Sequence, residues 1–187
     1  RILSSAASDV YKRQGDIDND GDLDIVSGSN THNSSATELG HINLYENDGA
    51  SDPTWTKTTI DSYIPGYFVE LADIDSDGDL DIVSASKNPY GTTTYIDWYE
   101  NDGAATWTPA FTAADINISA NVARDLHIAD MDRDGDLDIV SASSGDNTIA
   151  WYENDGAANP SWTAADISTT ADLSLIHISE PTRQLCI

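Results

Sequence analysis

An all-β fold, built from about three four-stranded antiparallel units, is predicted by three observations. A nine-residue acidic loop of pattern D-x-D-x-D-G-D-L-D occurs at residues 16–24, 73–81 and 130–138, so its copies start 57 residues apart both times, and a fixed period of this size marks a repeat architecture. The surrounding unit repeats as well. Asp-Ile-Val-Ser follows at 24–27, 81–84 and 138–141, and Tyr-Glu-Asn-Asp-Gly-Ala begins at 45, 99 and 152. Between these landmarks, runs of β-branched and aromatic residues alternate with Gly, Asn, Asp and Ser, which is strand and turn chemistry, and no stretch has the periodicity of an amphipathic helix.

The elements follow in order. The first unit (residues 15–65) keeps strands at about 23–28, 41–47 and 54–61 and lacks most of its opening strand. In the second unit (66–122) strands are expected at about 67–73, 80–86, 94–101 and 110–116, and in the third (123–172) at about 124–131, 137–143, 147–153 and 161–167. Each Asn-Asp-Gly reads as a hairpin turn, because Gly takes positive φ without a steric cost. Side chains alternate along a strand, so Ile42 and Leu44, Ile96 and Trp98, and Ile149 and Trp151 share one face, while Tyr45, Tyr99 and Tyr152 occupy the other. Both faces are apolar. A meander that is apolar on both sides must be covered on both sides, which is the situation of a β-propeller blade between its neighbours; a β-sandwich is the competing arrangement.

The acidic loop carries the chemistry. Five carboxylates within nine residues repel one another, and a divalent cation is the natural compensation. Calcium suits the pattern: Asp at loop positions 1, 3 and 5, Gly at 6 for a sharp turn, a backbone carbonyl at 7 and a further Asp at 9. Position 12, where an EF-hand has Glu, is Ser27, Ser84 or Ser141. The candidate ligand residues are therefore Asp16, Asp18, Asp20, Asp22 and Asp24; Asp73, Asp75, Asp77, Asp79 and Asp81; and Asp130, Asp132, Asp134, Asp136 and Asp138. Up to three calcium ions, one per repeat, are expected. The competing reading is a solvated acidic turn without metal.

Composition narrows the partners. The 187 residues carry a formal charge of −25, which opposes nucleic-acid binding, and no apolar run is long enough to insert in a membrane. Both ends look foreign to the fold. Residues 4–14 resemble the translation of a transposase adapter used in preparing DNA for sequencing, and 173–183 resemble its reverse-strand partner. Residues 1–14 and 173–187 are accordingly expected to bear no structure, and the remainder to be an internal fragment of a longer bacterial protein whose signal peptide lies elsewhere. Four of the eight basic residues (Arg1, Lys12, Arg13, Arg183) fall in those ends, as does the single cysteine, Cys186, so neither a disulfide framework nor a cysteine zinc site is expected.

The aspartate loop, Leu-Asp-Ile-Val-Ser and Trp-Tyr-Glu-Asn-Asp-Gly, recurring together, resemble the FG-GAP-like or VCBS repeat family, relatives of the propeller head of integrin α chains. The resemblance covers 15–172 and implies a seven-bladed propeller of which these are about three blades, calcium in the loop between the first two strands of a blade, and export to the cell exterior or surface. Carried over, positions 1, 3, 5 and 9 of each loop ligate through side chains, and Asp22, Asp79 and Asp136 through backbone carbonyls. The Phe-Gly and Gly-Ala-Pro signatures that name the family are not recognisable here, so integrin-type ligand binding does not follow.

In a meander the acidic loops share an edge with the Glu-Asn-Asp-Gly turns. The opposite edge carries the loops between second and third strands, which vary in length: Val26 to Tyr45 is 19 residues, Val83 to Tyr99 is 16 and Val140 to Tyr152 is 12. That edge is the candidate surface for a glycan or protein ligand. His32, His41, Glu38 and Asn88–Gly91 lie there, with solvated loop as their ordinary reading. Trp107 could stack on a sugar or simply cap a blade, and His127 alternates into a strand as packing. Asn33-Ser34-Ser35 and Asn117-Ile118-Ser119 match the glycosylation acceptor pattern, without consequence in a bacterium. No catalytic motif appears. Two functions follow as expectations: a non-catalytic calcium-binding propeller segment in adhesion or carbohydrate or protein binding, or the propeller module of a secreted polysaccharide lyase or hydrolase whose catalytic residues lie outside this chain. Uncovered blade faces should be met by the remaining blades of the parent protein or by self-association.

Overall fold

The computed structural model describes residues 10–29, 40–62, 66–87, 94–101, 103, 114–117 and 120–171. Twelve strands form three four-stranded antiparallel sheets, each a meander in chain order. The first holds β1 (Val10–Gly15), β2 (Asp24–Ser29), β3 (His41–Asn47) and β4 (Trp55–Asp61). The second holds β5 (Gly66–Ala72), β6 (Asp81–Lys87), β7 (Thr94–Tyr99) and β8 (Ala114–Asn117), and the third β9 (Ala123–Ala129), β10 (Asp138–Ser143), β11 (Thr148–Asn154) and β12 (Trp162–Ser168). The strand positions agree with those read from the pattern of residues. Of the expected eighth strand, 110–113 lie outside the described residues.

One expectation is corrected. Residues 10–14, expected to bear no structure, form most of β1, which pairs with β2 from Val10↔Ser29 to Gly15↔Asp24. The cause is an open strand edge: β2 presents unpaired N–H and C=O groups on that side, and any adjacent extended segment satisfies them. The Arg13 guanidinium then locks the strand to the next sheet, donating from Nε and Nη2 to the two carboxylate oxygens of Glu70 at 2.6 Å each. It also lies over the Phe68 ring, 4.9 Å from its centroid. The adapter-like segment thus completes the sheet.

The first strands β1, β5 and β9 lie side by side in succession, so the three sheets fan out from them. The fourth strands lie on the outside, and β12 is largely exposed. Register separates the two faces of every sheet. Ile82 opposes Tyr99 and Leu71 on one face of the second sheet, while Val83 opposes Trp98 and Glu70 on the other. Two cores result. In the first, Val26, Ile42 and Leu44 of the first sheet meet Val69, Ile82 and Tyr99 of the second. In the second, Val83, Ala85, Ile96 and Trp98 meet Leu126, Ile139, Ala150 and Tyr152 of the third. The middle sheet is buried on both faces, the condition the alternation demanded. His127 departs from expectation: it is exposed, because Leu126 and Ile128 take the covered face and leave it on the open one.

Trp98 is 1 % exposed at the centre of the second core. Trp98→Ala is expected to lower unfolding stability by about 3–5 kcal/mol, whereas Leu23→Ala at an exposed loop position should change it by less than about 0.5 kcal/mol, both measured by urea denaturation.

Candidate metal-binding loops

Each acidic loop joins the first two strands of its sheet and has the same backbone. Position 4 takes a left-handed conformation at Asn19, Ser76 and Arg133 (φ 59°, 61° and 69°), and the following glycines, Gly21, Gly78 and Gly135, do so at 96° to 105°. Only Gly tolerates the latter values readily, which is why it stands at position 6. The carboxylates fold inward on the loop's own amides. Asp16 Oδ2 accepts from Gly21 N at 3.0 Å, and Asp73 accepts from Asp77 N and Gly78 N at 3.0 and 3.1 Å. Asp130 Oδ1 accepts from Arg133 N at 2.7 Å.

The side chains converge in three places. Asp16, Asp18 and Asp24, then Asp73, Asp75 and Asp77, then Asp130, Asp132 and Asp138 each offer carboxylate oxygens lying within 4.8 Å of one another, close enough to share one cation. Positions 1 and 3 belong to every cluster. Asp20, Asp81 and Asp134 stand outside them; Asp20 and Asp134 accept from the amides of Asp22 and Asp136, as Asp77 does from that of Asp79. Asp22, Asp79 and Asp136 turn away toward the next hairpin, where a Cβ built on Gly49, Gly103 or Gly156 would lie 2.0 to 2.2 Å from a carboxylate oxygen. Those glycines also have positive φ, so the turn needs Gly twice over.

Position 9 has a structural role as well. Asp24, Asp81 and Asp138 are buried, with one oxygen accepting from the amide of loop position 2 (Ile17, Ile74, Met131) at 2.9 to 3.0 Å. The other oxygen accepts from the amide of Asn47, Asn101 or Asn154, at 2.7 to 3.0 Å. These asparagines were legible only as turn residues. Their side chains do more: Oδ1 accepts from the glycine two residues on, and Nδ2 donates to the carbonyl of Leu23, Leu80 or Leu137 at the end of the acidic loop. Asn101 and Asn154 also reach the preceding sheet, donating to Ile17 O at 2.8 Å and Ile74 O at 3.1 Å. The following hairpin is wider than a tight turn and is closed by Asp48 or Asp155, whose carboxylates accept from Thr54 or Ser161.

Crowding shows in the electrostatics. Burial, and after it the charge of neighbouring carboxylates, raises Asp18 and Asp75 above the ordinary range, and Asp132 moves the same way. Burial pushes Asp81 up to about 7. Glu46 is raised by burial and then by Asp18 and Asp24, and Glu100 contributes to the shift of Asp75. The glutamate of Tyr-Glu-Asn thus stands beside the acidic loop, a neighbour that strand alternation alone did not point out. Of the residues on the opposite edge, His41 opens β3 and is half-buried. His32, Glu38, Asn88–Gly91, Trp107 and both glycosylation patterns, apart from Asn117 at the end of β8, lie outside the described residues.

The FG-GAP-like repeat family matches residues 16–84, 73–141 and 130–177, each span beginning at an acidic loop and the first two running through the next loop into the strand that follows it. The chain belongs to the FG-GAP-like repeat family, and its three sheets are propeller-type blades. No curated protein and no solved structure matches it.

Two outcomes are expected. Asn154→Ala should cost about 2–4 kcal/mol, because with the Gly156 amide it strands the carbonyls of Ile74 and Leu137 in a largely buried site, and Asn47→Ala, which strands the Gly49 amide and Leu23 O at an exposed one, clearly less; chemical denaturation of both variants makes the comparison. In chelator, the raised carboxylates favour the folded state only while protonated. Their folded values exceed 3.8, so this contribution is complete below about pH 4 and disappears as pH rises toward 7. Asp48 and Asp155, which their hydroxyl and amide donors hold low, change stability only below that window. The melting temperature of the chelated chain should therefore be higher at pH 5 than at pH 8; the opposite order would contradict the assignment.

Proposed function

We propose that the chain is a calcium-binding propeller segment of an exported protein, non-catalytic in itself and serving adhesion through carbohydrate or protein binding. The observation that carries the calcium part is the threefold recurrence of converging carboxylates at the same point of the same loop. The donor set fits the ion: hard oxygen ligands on a loop already bent by its own amides, with a charge excess that a divalent cation reduces. Positions 1 and 3 would hold it in every loop, joined by Asp24, Asp77 or Asp138. The position 5 carboxylates Asp20 and Asp134, Asp81, and the carbonyls of Asp22, Asp79 and Asp136 are the remaining donors in this reading. A bound cation would supply charge compensation and rigidity to the edge, not a reaction.

A scaffold edge of three equal loops leaves the opposite edge, with its unequal connections, for recognition. Family membership supports export and adhesion as the setting. An acidic surface, at −25 for the whole chain, suits a calcium-containing exterior better than contact with nucleic acid.

The test is thermal melting in calcium against chelator, with the stoichiometry from titration calorimetry. Binding to the native state alone contributes about 2.7 kcal/mol at a hundredfold excess over Kd, which raises the melting temperature by roughly 5–10 °C for a chain of this size. Asp132→Asn together with Asp130→Asn should remove one ion from the stoichiometry. Identical melting in both buffers would sink the calcium reading.

A further inference from the structure

The interface between the first and second sheets and that between the second and third are two copies of one contact. In each, the preceding sheet offers the residue after the isoleucine of Asp-Ile-Val-Ser, with the large side chain before the tyrosine of Tyr-Glu-Asn. These are Val26 and Leu44 in one copy and Val83 and Trp98 in the other. The following sheet offers that isoleucine and that tyrosine, Ile82 and Tyr99, then Ile139 and Tyr152. All eight are at most 1 % exposed. Each copy is stitched at its edge by the asparagine bridge, Asn101 to Ile17 O and Asn154 to Ile74 O.

Among the described residues, the same two half-interfaces occur once more without a mate. On the first sheet Ile25 and Tyr45 are only half-buried and, with Lys12, Ser27 and Trp55, line an open groove of about 350 Å³. Trp55 is 43 % exposed, whereas Trp162 at the equivalent place in the third sheet packs against the second core. On the third sheet Val140 and Trp151 are half-buried where their equivalents are sealed. Asn47 makes the bond to its own loop, at Leu23 O; the acceptor equivalent to Ile17 O and Ile74 O in the third loop is the carbonyl of Met131, whose side chain is 48 % exposed.

We infer that these two faces are a docking pair, and that the occupant of the first sheet's groove is the third sheet of a second copy of this chain. The contact is continuous with one the molecule already makes twice, so the complementary partner is specified by its own sequence. Ile25, Tyr45 and Trp55 seat against Val140 and Trp151 of the other copy, and Asn47 Nδ2 donates to the Met131 carbonyl across the junction. Because the two faces differ, the association is heterologous: it closes to a ring if the rotation permits and otherwise continues as an open array. Lys12 and Lys57 depart from the repeat, the first standing where Val69 and Leu126 stand in the other sheets, the second over the Tyr45 ring where the third sheet has Ala164 opposite Tyr152. Both weaken the contact, and Lys12→Val should tighten it.

The inference is independent of calcium and is tested on the full chain by sedimentation velocity over about a hundredfold range of concentration. The wild type should rise above its monomer mass of 20.1 kDa as concentration increases. Trp55→Glu and Trp151→Glu, each alone, should sediment as monomers, with Ala142→Glu as a second variant of the third-sheet face. Their unchanged circular dichroism melts at the lowest concentration would show that folding is retained. An equimolar mixture of Trp55→Glu and Trp151→Glu restores one intact junction and should give a 1:1 dimer and nothing larger. A wild type that stays monomeric, a variant pair in which one face proves irrelevant, or a mixture that stays monomeric overturns the inference.

Discussion

The pairing of a buried aspartate with an asparagine amide holds each blade together at its acidic-loop edge. Asp24, Asp81 and Asp138 begin the second strand of their sheets and accept, through two oxygens, from the loop that precedes it and from the end of the third strand. A carboxylate buried without donors would be costly, and with these it becomes the fixed point of the first, second and third strands at once. The acidic loop cannot change shape without breaking that bond. Its converging carboxylates are therefore held near one another by hydrogen bonds that exist before any cation arrives.

The asparagine extends the same constraint to the neighbouring sheet. Asn101 and Asn154 occupy buried sites where the backbone amide, Nδ2 and Oδ1 make four hydrogen bonds, two to their own acidic loop, one to the loop of the blade before and one from the glycine of the following turn. The apolar faces supply the area of contact, but apolar contact is non-directional. The bridge to Ile17 O and Ile74 O sets the registry of one sheet against the next. This explains why the contact recurs in the same form at both interfaces although Leu44 in one is Trp98 in the other.

Much of this was legible in the sequence, because the two strongest signals are local. The 57-residue period gave the three units, and alternation within Ile-Asp-Trp-Tyr at 96–99 gave both faces of the middle sheet, which the register then placed as expected. What escaped detection is nonlocal. Asn101 and Ile17 are 84 residues apart, and Asn-Asp-Gly reads as a turn on its own terms, so nothing nearby announces the bridge. Asp24, Asp81 and Asp138 fit a ligand position so well that their amide partners could not be inferred from spacing. The first strand was hidden for another reason: the resemblance of residues 4–14 to an adapter concerns their origin, whereas strand pairing depends only on an open edge and an extended segment able to meet it.

Blade stacking and the proposed cation binding then share components, and the coupling between them would follow from the shared atoms. A cation that orders the first acidic loop would fix the backbone that includes the Ile17 carbonyl, which Asn101 needs in order to join the second sheet to the first. By linkage, whatever ion binding contributes to that junction, the junction must return to ion binding. The second loop stands in the same relation to Asn154 and the third sheet. Stability along such an array is a sum of blade terms and nearest-neighbour terms, and here the neighbour term contains the acidic loop itself. The buried asparagine is thus the element through which the acidic-loop edge governs how one blade meets the next.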